Sequence, residues 1–207
     1  MGLRTVEDHK TNKQDLSCAW QSDETVRYMI DTFCRSTSIS LPKHITMNYN
    51  IAFCCTGNAC RSPFGEAVLK QLLKEANIQD VEVWSCGTLD WGVNPRDDQM
   101  VQTAMEMGYI MEGTTKHMCR DDLMKADKII VFEHHHRDEI TQILDYSNWD
   151  RITLFDMYAF GLNCEVRDPN YESPAIYKEV AEHIEAGCKA IASKLCATIA
   201  TDQNLSD

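Results

Sequence analysis

A chain of 207 residues holds one ordinary α/β domain and is too short for two large ones. Hydrophobic residues at 43% and charged residues at 25% fit a packed interior and exclude disorder as the default. Acids outnumber Lys plus Arg by 32 to 20, a net charge of −12 that repels nucleic acid and anionic membranes, so any anion site has to be local.

No apolar run approaches the roughly 18 residues that span a bilayer, and the start MGLRTVEDHK lacks a signal-peptide core. A cytoplasmic protein with no membrane partner is expected. Its ten irregularly spaced cysteines are then expected as reduced thiols.

Residues 1–44 read as an N-terminal extension. Its first part is polar and unpatterned. SDETVRYMIDTFCRS then predicts one amphipathic helix, with Ser22 as N-cap, Asp23 and Glu24 in the first turn, and Val26, Met29, Ile30 and Phe33 on one face. After LPKH the pattern turns to β/α over residues 45–198. Ile45, Met47, Tyr49, Ile51 and Phe53 alternate and merge into a continuous apolar run, which predicts a strand buried on both faces by its end. PFGEAVLKQLLKEA reads as a helix with Pro63 in its first turn, and VEVWS as a second strand. DQMVQTAMEMG is a helix ended by Gly108, DDLMKA a short helix and KIIVF a third strand. RDEITQILDY is helical, RITLF a fourth strand, and ESPAIYKEVAEHIEAGCKAIASKLCATIA a long helix with Ile176, Val180, Ile184, Cys188 and Ile191 down one side. Residues 199–207 are expected as a flexible tail. Strands alternating with helices imply an α/β fold, a four-stranded parallel sheet with helices on both faces, whose ligands bind beyond the carboxyl ends of the strands.

The stretch CCTGNACRS lies at one such end, between the first strand and the first helix. Backbone N–H groups at a helix N-terminus lack intrahelical partners and face anions, and Gly57 and Asn58 tolerate the left-handed angles that curl successive amides into a nest. The Gly-Lys-Ser/Thr of a nucleotide loop and the G-x-G-x-x-G fingerprint are both missing. Cys55 opens the loop and Arg61 closes it after five residues, placing a sulfur beneath a bound anion and a guanidinium fork at its rim. A helix N-terminus favours thiolates, and Ser62 is placed to donate to that sulfur. Cys54 is expected to be a small buried residue pointing away from Cys55.

CTGNACRSP resembles the signature loop of the low-molecular-weight protein tyrosine phosphatases. WSCGTLDWGVNP, KADKIIVFE and RDPNYESPAIYKEV resemble further segments of that family in the same order, so the resemblance covers about residues 47–196. It implies a phosphotyrosine phosphatase I-like fold and hydrolysis of phosphotyrosine or small aryl phosphates through a phosphocysteine. No cofactor, no metal and no nucleic acid partner are implied, and phosphate, sulfate or vanadate are expected as loop ligands. Carried over residue by residue, Cys55 is the nucleophile, Arg61 the phosphate clamp and Asp168 the general acid aimed by Pro169. Thr56, Gly57, Asn58, Ala59, Cys60 and Ser62 line the phosphate site, Asn58 pins the loop through Ser62 and the supporting Ser85, and Trp91 and Tyr171 stand as aromatic walls. Cys60 falls where a second cysteine closes a reversible disulfide with the nucleophile under oxidant, with packing as its other reading.

The chain departs from that family at Asn170, where a second aromatic is usual. It departs again at EGTTKHM, where Lys116 stands in for an arginine, and at Cys86, for which the sequence offers no mechanistic account. In EHHHRD the three histidines do not face one way and lack i, i+4 spacing, so a solvated helix start is expected rather than a metal site. Two other functions fit the same loop. A thiol-dependent arsenate reductase would carry cysteines after the third strand, where VFEHHHRDEITQIL has none, and a phosphotyrosine-binding module would not need Cys55, Arg61 and Asp168 together.

Overall fold

The computed structural model describes residues 49–204. The helix expected within 1–44, the predicted strand start at Ile45 and Met47, and residues 205–207 lie outside the described residues. Strand β1 (Tyr49–Cys55) leads through the CTGNAC loop into α1 (Arg61–Glu75). Then follow β2 (Val81–Gly87), α2 (Asp98–Glu106), α3 (Arg120–Leu123), β3 (Lys128–Val131), α4 (His134–Thr141), a 3₁₀ turn (Tyr146–Arg151), β4 (Ile152–Leu154), α5 (Phe155–Phe160) and α6 (Pro174–Asn204). Every predicted strand is present, in the order β2-β1-β3-β4, and all pairings are parallel.

That order puts the site. The chain leaves β1 towards one edge to form β2, then crosses back to the other side for β3, so the order reverses at β1 and a crevice opens beyond the carboxyl ends of β1 and β3. Cys55 sits there, level with Gly87 of β2, while the end of β3 delivers Phe132, Glu133 and the start of α4.

Alternation along the strands divides the core in two, as a pleated sheet covered on both faces requires. Ile51, Phe53 and Cys55 point to the face covered by α1 and α6, packing with Phe64, Val68, Leu69, Ile184, Cys188 and Ile191. Ala52 and Cys54 point to the other face, with Cys86, Ile129, Val131, Leu123 and Ile140. Cys54 therefore points away from Cys55, as expected. Cys86 fills space beside Cys54 in the lower core, which gives it a packing role.

Three elements differ from the sequence reading. Helix α5 continues directly out of β4; six residues are too few for a periodicity to emerge, and Gly161 closes it in the left-handed conformation (φ 76°). Helix α4 begins at His134 instead of Arg137. Helix α6 runs to Asn204, past the boundary drawn at 198. Cys164 is disulfide-bonded, against the expectation of reduced thiols throughout, while Cys54, Cys55, Cys60, Cys86, Cys119 and Cys188 are free. Among the described residues no helix is long and apolar enough to cross a membrane.

Phe155 locks α5 beneath α6. It stacks on Phe132 at 5.3 Å between ring centroids and lies 6.4 Å from Phe53. Gly187 of α6 leaves room for it, because a Cβ there would come within 2.3 Å of the Phe155 ring. Gly187→Ala should destabilise the protein by about 1–3 kcal/mol through overpacking; an unchanged urea midpoint would show that α6 does not press on that ring.

Candidate active site

The loop from Cys55 to Cys60 is held by its carbonyls. Cys55 O accepts from Thr88 N (2.9 Å), Thr56 O from Leu89 N (2.9 Å), Gly57 O from Trp91 Nε1 (2.9 Å) and Ala59 O from Asp97 N (3.0 Å), while Asn58 O accepts from Arg96 Nη1. A trans peptide points its N–H opposite to its C=O, so tying five successive carbonyls to the segment 88–97 turns the amides of residues 56–60 the other way. Among the described residues none of those five amides donates to a protein acceptor. They form the anion nest expected from the sequence, with one difference. Only Asn58 adopts a positive φ (53°); Gly57 does not.

Asn58 is fully buried and every hydrogen-bonding position of its amide is used. Nδ2 donates to Ser62 Oγ (3.0 Å) and Ser85 Oγ (2.8 Å), as the resemblance implied. Oδ1 accepts from Arg96 Nη1 (2.7 Å) and Lys116 N (2.9 Å). The Ser85 hydroxyl in turn donates a hydrogen bond to Glu66 Oε2 at 2.6 Å. The Lys116 contribution is thus its backbone; its ammonium pairs with Asp122 at 2.7 Å and sits over Trp84, and the guanidinium at the loop is that of Arg96. Burial lowers the pKa of Arg96, with Glu66 and Cys55 acting in the opposite sense.

Cys55 is buried, with Sγ 3.0 Å from Ser62 Oγ. Ser62 already accepts from Asn58, so its single proton goes to this sulfur or to Cys86 O at 3.2 Å. Cys60, free and buried beside Cys55 in the same core, has its thiol pKa pushed well up by burial and then by the negative charges of Cys55, Asp97 and Asp168.

Arg61 is 1% exposed at the start of α1. Nη1 donates to Glu133 Oε2 (2.5 Å) and Val166 O (2.8 Å), and Nη2 reaches Asp168 Oδ2 at 2.9 Å. Burial opposes its charge, but Cys55, Asp168 and Glu133 outweigh that cost and raise its pKa. Asp168 arrives on the segment joining α5 to α6. Val166 N bonds Phe132 O (2.9 Å), Asp168 Oδ1 accepts from Asn170 N (3.2 Å), and Arg167 pairs with Glu172 (2.5 Å), so the loop carrying Asp168 is braced on both sides. Asn170 acts through its backbone here.

Of the two residues expected as aromatic walls, Trp91 is half exposed, its indole at the contact distance of a side chain from Gly57. Tyr171 is 97% exposed on left-handed backbone (φ 63°) and packs as no wall. The expected solvated helix start also needs correcting: His134 and His135 are exposed, but His136 is fully buried. Its Nδ1 accepts from Glu133 N (3.1 Å), its Nε2 lies 2.9 Å from Thr56 Oγ1, and burial with the nearby Arg61 charge lowers its pKa to about 3. Glu133, His135 and His136 bring ligand atoms within 4.8 Å of one another. Both His136 nitrogens and one Glu133 oxygen are already engaged, and the Arg61 cation lies against that oxygen, so the group does not suit a metal ion.

Arg96, Glu133, His136 and Glu66 escaped the sequence reading. Arg96, Glu133 and His136 stand in ordinary polar settings far along the chain from the loop, and Glu66, although only five residues past Arg61, reads as an exposed helix acid until the fold brings Ser85 to it.

A strand-loop-helix anion nest with a buried cysteine below it, an arginine at its rim and an aspartate facing that arginine defines a cysteine-dependent phosphatase class. Comparison with known proteins agrees. The family model described as "Low molecular weight phosphotyrosine protein phosphatase" matches residues 50–203, and the chain belongs to that family. The low molecular weight protein-tyrosine-phosphatase PtpA of Staphylococcus epidermidis is 28% identical over 159 residues, 76% of this chain and 98% of that protein. The solved structure of a low molecular weight phosphotyrosine phosphatase from Vibrio cholerae is 26% identical at a TM-score of 0.67, covering 71% of this chain and 96% of that one. The arginine phosphatase YwlE, as a cysteine-to-serine mutant with a phosphorylated active-site serine, is 25% identical at a TM-score of 0.66, covering 70% and 95%.

Gly87 makes the loop possible, since a Cβ there would lie 2.7 Å from Thr56 O and 2.8 Å from Asn58 N. Gly87→Ala should therefore weaken vanadate binding about tenfold, the cost of roughly one misaimed charged hydrogen bond. Unchanged inhibition would mean that the nest does not depend on contact with β2.

Proposed function

We propose that this chain hydrolyses phosphotyrosine and small aryl phosphates in two displacements through a phosphocysteine. The observation that carries the reading is the 2.9 Å approach of Asp168 to Arg61 at the mouth of the loop that holds Cys55. It gathers nucleophile, clamp and acid at one point although they come from distant segments.

In the first displacement the phosphoryl group enters the nest of amides from Thr56, Gly57, Asn58, Ala59 and Cys60, and its oxygens take the free face of the Arg61 fork. An oxygen that takes Nη2 releases Asp168 from its ion pair, and the freed carboxylate takes a proton from solvent and turns to the leaving group as the carboxylic acid. The Cys55 sulfur attacks phosphorus, the P–O bond breaks, and the Asp168 carboxyl gives its proton to the departing phenolate. In the second, the Asp168 carboxylate takes a proton from water, the water oxygen attacks phosphorus, the S–P bond breaks, and Cys55 leaves as thiolate. Ser62 stabilises that leaving sulfur from 3.0 Å. The phosphorylated serine in the YwlE mutant supports a covalent step in this family.

Trp91 supports an aromatic substrate, because it gives the mouth one indole ledge for a phenyl ring. The name of YwlE makes phosphoarginine the substrate to set against phosphotyrosine.

Assayed side by side on phosphotyrosine and phosphoarginine peptides, the wild type should prefer the aryl ester, and Cys55→Ser should lose turnover on both. Preference for phosphoarginine would refute the substrate reading. Asp168→Asn should slow aryl phosphates by about 10²–10⁴-fold, most for poor leaving groups. An equal loss across leaving groups would remove Asp168 from the role of acid.

A further inference from the structure

We propose that His136 is a positioning residue for this reaction: from the first turn of α4 it holds the Thr56 side chain while Glu133 holds Arg61, so one helix start ties the two ends of the phosphate loop together. The inference rests on the phosphatase reading and adds to it a brace on the side of the loop opposite segment 88–97.

The circuit closes through four residues. Glu133 N–H donates to His136 Nδ1 at 3.1 Å, so the proton of the neutral ring sits on Nε2. That Nε2 lies 2.9 Å from Thr56 Oγ1, and with Nδ1 already accepting, the ring must be the donor. Glu133 Oε2 accepts from Arg61 Nη1 at 2.5 Å, and Arg61 closes the loop that Thr56 begins. His136 is fully buried, and that burial with the nearby Arg61 charge keeps the ring neutral, so the tautomer holds at neutral pH.

Thr56 is the point where the brace bears. Its carbonyl is tied to Leu89 N at 2.9 Å on the β2 side, and its hydroxyl to His136 on the β3 side. The two ties from opposite sides fix the rotation of the residue. Two nest amides depend on that rotation: the amide of Thr56 and that of Gly57, which shares a peptide plane with the tied carbonyl. Glu133 meanwhile occupies Nη1 of Arg61 and so reserves Nη2 for Asp168 or an anion. Neither His136 nor Glu133 touches the reacting atoms. They act by holding groups that do.

The test measures vanadate inhibition of 4-nitrophenyl phosphate hydrolysis in four variants of the full chain. Thr56→Val removes the acceptor. His136→Asn keeps an acceptor for the Glu133 amide but no longer reaches Thr56. Each should weaken vanadate about five- to tenfold, the worth of one buried hydrogen bond, and lower kcat/KM by a similar factor. The double variant should be no worse than the weaker single one, and Thr56→Ser, which restores the hydroxyl, should recover at least about half of the loss. Additive losses, or Thr56→Val binding vanadate like the wild type, would overturn the brace, and Thr56→Val decides this even if His136→Asn folds poorly. A wild type that binds no vanadate would overturn the phosphatase reading and the brace with it.

Discussion

Everything at this site follows from the direction of five peptide groups. An N–H and a C=O on one planar peptide point opposite ways, so a loop whose carbonyls all face protein must turn its amides towards whatever lies at its centre. Here the partners of the carbonyls come from a single segment, Thr88 to Asp97, using three backbone amides, one indole and one guanidinium. Five amides left without protein acceptors are costly to bury unless an anion meets them. The fold thus builds the demand for an anion into the backbone, before any side chain contributes.

Side chains then set what that anion meets. Asn58 uses all four hydrogen-bonding positions of its amide, which couples the loop to α1 through Ser62, to β2 through Ser85 and to the segment before α3 through the Lys116 backbone. A network satisfied at every position resists local rearrangement, because each bond lost would strand a buried polar atom. Arg61 supplies charge from almost complete burial, and two carboxylates from separate loops repay its desolvation. A chain of net charge −12 can therefore still present a buried guanidinium to an anion at this mouth, with Arg96 placing a second one behind the nest.

The parts of this arrangement that are contiguous in the chain were legible in the sequence. Cys55, Gly57, Asn58, Arg61, Ser62 and Pro63 lie within nine residues, and their spacing between an apolar strand and a helix has one sensible geometry. The order of strands and helices was legible for the same reason, since alternation and helical periodicity are local patterns. Asp168 was reached by resemblance, not by spacing. Glu133 and His136 were not legible, because their meaning depends on the crossing from β2 to β3 that brings α4 to the loop, and Arg96 was not, because it depends on the segment after β2 folding back over the loop. His136 was further hidden by two exposed histidines beside it; read as a run the three look solvated, whereas helix geometry turns the third inward. Tyr171 failed in the opposite sense. The sequence supplies an aromatic after Asp-Pro, but that residue has left-handed backbone and its ring lies in solvent.

The central claim is that the sulfur below the nest forms a bond to phosphorus during turnover. Rapid acid quenching of the wild type reacting with 4-nitrophenyl phosphate, followed by mass analysis of the peptide containing Cys55, tests it most directly. The account predicts a phosphoryl adduct on that peptide at the earliest times, formed as fast as the first equivalent of nitrophenol is released. Steady release of nitrophenol and phosphate with Cys55 unmodified at every quench time would contradict it and point to direct attack by water.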